Sequence, residues 1–161
     1  MASLNLSVPE TLPFVDIERD VKAPVELVFR CFTDPELLAQ WLGPRRYRMR
    51  VETYEVRDGG RWRYVHFDDA GNEFAFHGVF HGPPSAGGWV QTFEFEGAPG
   101  HVSMDRLTLE DLGGTTRIRT HSTFPSVEER DAMVGAGMEM GVREGYERLD
   151  ELTTRLLADK R

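Results

Sequence analysis

The sequence predicts an α+β domain in which a seven-stranded antiparallel sheet curves around one long C-terminal helix. Three observations lead there. Runs of alternating apolar and polar residues fill positions 47–124, which is strand periodicity. The runs are separated by short segments rich in Gly, Pro, Asp and Asn, and connections this short imply an antiparallel meander. After Met138 the period changes: Met138, Val142, Gly145, Leu149, Leu152 and Leu156 recur at helical spacing, enough for a helix about 30 Å long.

Taken in order, residues 1–12 read as a flexible N-terminal arm and 13–161 as a single domain. Phe14 to Val21 alternates and forms the first strand. Ala23-Pro24 opens a helix, since proline's missing N–H costs nothing in a first turn. That helix carries Val25, Val28, Phe29 and Phe32 on one face. Thr33-Asp34-Pro35-Glu36 restarts a second helix with capping-box chemistry, running through Leu37, Leu38 and Trp41 until Gly43-Pro44 stops it. Six strands follow at about 47–57, 59–68, 73–82, 88–96, 101–111 and 115–124. Ser126-x-x-Glu129 is a further capping box, and glycines at 135 and 137 interrupt the helical region it starts.

The 161 residues suit one domain able to bury a core without staples. A single cysteine, Cys31, excludes an internal disulfide and a multi-cysteine zinc site. With 27 acidic against 19 basic residues, the net charge of −8 argues against nucleic acid as a partner. No apolar run reaches the ~20 residues of a membrane span, and no basic-then-apolar leader opens the chain. Membrane insertion is therefore not expected, and the cytoplasm is the expected location. His77 and His81 lie ~13 Å apart along a strand, too far to share an ion, so a metal is not expected, and without a Walker A, G-x-G-x-x-G or H-E-x-x-H motif no other cofactor is expected either. Arg45-Arg46-x-Arg48-x-Arg50 could steer an anion, although a solvated strand face is the commoner use of such a cluster.

Strand alternation sorts the remaining residues by face. Trp62, Tyr64 and His66 share one, as do Phe74, Phe76, Gly78 and Phe80. Trp89, Gln91, Phe93 and Phe95 fall together, as do Ser103, Asp105, Leu107 and Leu109, and then Ile118, Thr120, Ser122 and Phe124. The inner face is thus aromatic with sparse polar groups. That pattern suits either plain core packing or a pocket for a mostly apolar small molecule. The expected pocket has Trp41, Trp62, Tyr64, Phe76 and Phe93 as apolar walls. Met138, Val142 and Gly145 form its helix side, with His66, Gln91 and Asp105 as polar handles. His66 and Asp105 would make an acid–base pair if the strands brought them together. A structural role is the commoner use of such a histidine. Ligand access is expected near Trp41 and the Gly43-Pro44 turn, where a short helix can shift with few bonds lost.

Several blocks also resemble a known family. Val21-Lys22-Ala23-Pro24-Val25-Glu26-x-Val28-Phe29 and Thr33-Asp34-Pro35-Glu36-x-Leu38-x-x-Trp41-x-Gly43-Pro44 are similar to the opening of START-like (SRPBCC) domains. Asp58-Gly59-Gly60-x-Trp62-Arg63, Gly113-Gly114-Thr115-Thr116-Arg117-Ile118 and Gly137-Met138-Glu139-x-Gly141 continue the match in order. The branch resembled is named after the C-terminal domain of the activator of heat shock protein 90 ATPase. The resemblance implies a helix-grip fold: a seven-stranded sheet around the last helix, two small helices after the first strand, and a cavity between sheet and helix. With such a fold, the expected function is binding of a hydrophobic or aromatic small molecule in the cavity, with no catalysis well supported. The alternatives are a polyketide cyclase- or hydrolase-like enzyme and a co-chaperone with a chaperone as partner.

Overall fold

The computed structural model describes residues 3–160. The elements are β1 (Asn5–Ser7), β2 (Phe14–Val21), α1 (Val25–Thr33), α2 (Pro35–Leu38), β3 (Arg48–Tyr54), β4 (Arg61–Phe67), β5 (Glu73–Ser85), β6 (Gly88–Phe95), β7 (Val102–Asp111), β8 (Thr116–Thr123), α3 (Val127–Gly135) and α4 (Met138–Asp159). Every strand pair is antiparallel, in the order β1-β2-β8-β7-β6-β5-β4-β3. None of these helices is long and apolar enough to cross a membrane.

The expected seven strands are therefore eight among the described residues. The extra one, β1, lies in the stretch read as a loose arm and pairs Leu6 with Ile17 at the sheet edge. Three residues, Asn-Leu-Ser, are too few to show a period. The chain after β1 is also held. Arg130 is 2% exposed, and its guanidinium donates to the carbonyls of Pro9, Glu10, Leu12 and Phe14. Met1 and Ala2 of the arm lie outside the described residues, as does Arg161.

The second helix is shorter than its capping signal suggests. Asp34, not Thr33, is the N-cap, accepting from Glu36 N at 3.0 Å. Thr33 turns back and donates to Phe29 O at 2.8 Å. β5 runs three residues past its expected end, through Pro83-Pro84, where the register with β6 shifts between His81 and Ser85. Proline is tolerated at such an irregularity because no ladder N–H is required there. Ser126 does cap α3, accepting from Glu129 N at 3.1 Å, and the α3–α4 break falls at Gly135 to Gly137.

The sheet's inner face packs on α4 through Leu149 and Leu152 and on α1 through Val28 and Cys31. Arg19 also points inward from β2 and forms a two-bond ion pair with Asp150 of α4, at 2.8 and 2.7 Å. The outer face is polar and cross-linked by ion pairs such as Arg63–Glu96 and Arg119–Glu18. His77 belongs to this face, between Glu94 and Glu96. Most of the arginine cluster is committed within the chain. Arg45 pairs with Glu151, Arg48 with Asp69, and Arg50 with Glu52 and Glu73.

Candidate functional site: an aromatic cavity between the sheet and the last helix

A cavity of about 870 Å³ opens between the inner sheet face, α4 and the loop after α2. All eleven residues expected from strand and helix periodicity line it: Trp41, Trp62, Tyr64, His66, Phe76, Gln91, Phe93, Asp105, Met138, Val142 and Gly145. The hydrogen-bond ladder of three adjacent strands, β4, β5 and β6, builds its aromatic wall. Trp62 stacks on Tyr64 with ring centres 5.1 Å apart. Phe76 lies 5.5 Å from Tyr64 and 5.4 Å from Phe93. The Trp62 indole N–H has no hydrogen-bond partner, alone among buried side-chain polar atoms of the described residues.

Trp41 forms the end wall and is only 1% exposed. Its indole donates to Cys31 O at 2.9 Å, and its ring lies 6.0 Å from Tyr146 in a near-parallel stack. Arg148 holds the surrounding loop by donating to Gln40 O and Gly43 O, both at 3.1 Å. These bonds fix Trp41 as a wall. The exposed lining residues Arg46 of the loop after Gly43-Pro44 and His101, Glu128, Ala132, Ala136 and Gly137 set the mouth between that turn and the α3–α4 junction, where Pro44 Cδ lies 3.7 Å from the position of a Cβ on Gly141. There a hydrogen bond joins His101 of the β6–β7 loop to Glu129 of α3.

Glycines permit two close approaches. A Cβ on Gly145 would sit 3.2 Å from Gly43 N, so α4 lies directly on the backbone of the α2–β3 loop. Gly43 has φ +95° and would place a Cβ 2.2 Å from His66 Cε1. His66 is therefore packed over bare backbone, with Tyr47, Tyr64 and Phe76 around it.

The polar groups lie on the other half of the sheet. Gln91, Asp105 and Ser122 are successive cross-strand partners on β6, β7 and β8. Ser103 and Thr120 face the same space. Gln91 Oε1 accepts from Trp89 Nε1 at 2.9 Å. Burial pushes the Asp105 carboxyl up to about 6, partly offset by a hydrogen bond from Ser122. Burial, with the Arg148 charge, holds His66 down at about 4. Tyr146 is pushed up to about 12, and Tyr54 and Tyr64 are raised as well, all by burial. Burial likewise raises the Cys31 thiol to about 11, which suits a packing residue and not a nucleophile.

The possible His66–Asp105 pair does not form. β5 and β6 intervene between their strands, and no hydrogen bond joins them among the described residues. Other lining residues fell outside the expected set. Phe74 and Phe95 share the strand faces already assigned, so alternation alone finds them. Tyr146 follows Val142 by four helical positions, a spacing that puts both on one side. Tyr54, which donates to Phe32 O at 2.6 Å, carries no signal of this kind. A second hollow of about 660 Å³ beside β1 is lined by Asp16, Glu18, Arg119 and His121, which pair with one another across β2 and β8.

Solved structures share this architecture. A protein of Arthrobacter aurescens, 27% identical, superposes with a TM-score of 0.86 over 94% of this chain and 91% of its own. One from Rhodobacter sphaeroides, 22% identical, gives 0.87 over 95% and 99%. Protein Ms6760 from Mycobacterium smegmatis, 20% identical, gives 0.84 over 94% and 96%. No curated protein matches the chain. The family pattern described as activator of Hsp90 ATPase homolog 1-like protein matches residues 22–154. With that match over most of its length, and with a curved antiparallel sheet gripping its last helix, the chain belongs to this family within the START-like superfamily.

Proposed function

We propose that this protein binds a hydrophobic, aromatic-sized small molecule in the cavity and does not transform it. One observation carries the reading: about 870 Å³ of space walled by aromatic rings and furnished with a few polar groups on one side. Small-molecule sites usually occupy roughly 300–1,000 Å³ with this composition. The separation of His66 from Asp105 removes the acid–base pair that a cyclase- or hydrolase-like reading would use.

The test is fluorescence titration with N-phenylnaphthylamine, an uncharged apolar probe. Saturable binding at low-micromolar or weaker Kd is expected, about −8 kcal/mol at best for a non-cognate ligand. Val142→Trp, which fills the cavity from α4, should abolish it while circular dichroism stays unchanged. A probe that does not bind, or that binds the filled variant equally well, refutes the reading. The family description supports a second reading, in which a chaperone is the partner. Saturable stimulation of an Hsp90 ATPase by the purified chain would favour it, and unchanged turnover would remove it.

A further inference from the structure

We propose that the ligand of this cavity carries a protonated amine on its aromatic body, seated with the nitrogen against Asp105. The inference rests on the binding reading above and adds the ligand's charge.

Asp105 sits mid-strand on β7, between Gln91 and Ser122. Among the described residues it is the one acidic side chain lining the interior, since the other lining carboxylates, Glu128 and Glu129, belong to the α3 end at the mouth. Burial pushes its carboxyl up to about 6, so at neutral pH it is an anion whose cross-strand neighbours, Gln91 and Ser122, are neutral. Among the described residues no cation acts on it; the Ser122 hydroxyl is its hydrogen-bond donor. Three buried or half-buried arginines are engaged elsewhere. Arg19 pairs with Asp150, Arg148 with the loop carbonyls of Gln40 and Gly43, and Arg130 with the carbonyls before β2.

A buried charge without a partner is costly, and a cation delivered by the ligand would remove that cost. The rest of the cavity favours the same chemistry. The faces of Trp62, Tyr64, Phe76 and Phe93 are electron-rich and attract cations as well as aromatic rings. The net charge of −8 draws cations toward the protein and repels anions. A carboxylated aromatic ligand would meet Asp105 as a like charge.

Competition against bound N-phenylnaphthylamine, above the pH at which Asp105 ionises, tests this with naphthylethylamine, naphthylethanol and naphthylacetate. The amine should displace the probe at a concentration roughly tenfold or more below the alcohol, the range of a hydrogen bond to a charged group. The carboxylate should be weakest. In Asp105→Asn the advantage of amine over alcohol should collapse to about one. Equal displacement by amine and alcohol in the unmodified protein overturns the proposal and leaves the binding reading standing. So does an amine advantage that survives in Asp105→Asn. A probe that never binds removes the binding reading, and this inference with it.

Discussion

Replacing Asp105 by asparagine should stabilise the protein at neutral pH and leave it unchanged in acid. The Asp105 carboxyl ionises at 3.8 in a solvated chain but at about 6 in the fold, because burial strips its water and the Ser122 hydroxyl restores only part of it. Between those two values the folded state keeps a proton that the unfolded state has released, so stability falls as pH rises. The slope for one proton is about 1.4 kcal/mol per pH unit. Across the window from 3.8 to about 6 it amounts to about 3 kcal/mol. Above the window the penalty is complete. Below it both states are protonated and the penalty is absent. Asparagine preserves the shape and an acceptor for Ser122 but carries no charge. Urea unfolding of both proteins at a series of pH values measures the difference. Groups such as Glu96, held down at about 2 by Arg63 and His77, titrate in both proteins and cancel. The advantage of Asp105→Asn should grow from near zero in acid to about 3 kcal/mol at neutrality. A difference that does not vary with pH, or a variant less stable at neutral pH, would refute the idea of a desolvated, unpaired carboxylate.

His66 should show the opposite slope. Its pKa falls from 6.5 to about 4 on folding, so the stability it supplies is present above 6.5 and lost as pH drops toward 4, by up to about 3 kcal/mol. Measured against His66→Gln, the unmodified protein should weaken over that window, and a constant difference would contradict the assignment. Because the two slopes oppose each other between about 4 and 6, they largely cancel in the unmodified protein and emerge only in the single variants. Gly43→Ala should destabilise by at least about 2 kcal/mol, since the residue has φ +95° and the new methyl would meet His66 Cε1 at 2.2 Å. An unchanged urea midpoint would show that the loop after α2 can move away.

The residues alone set out the order of elements from β2 onward, the inward face of the main strands and the long last helix. Those depend on local periodicity, and each run from β3 to β8 is long enough for a period of two to be unmistakable. The set of cavity-lining residues was legible for the same reason: Trp62, Tyr64 and His66 alternate, so wherever β4 pairs they share a face. β1 was illegible because its three residues have no period, and only pairing with β2 makes them a strand. Arg130 reads in sequence as one more charge on a polar helix. Its role, gathering four carbonyls from residues 9–14, exists only once α3 lies across that segment. The same is true of Arg19 and Asp150, which are 131 positions apart. Tertiary structure alone also decided that His66 and Asp105 stay apart, because strand order, not strand content, sets which inward groups meet. The isolation of Asp105 has the same origin. A carboxylate is ionised or not according to the water and charges around it, and those surroundings come from four strands and a helix distant in sequence.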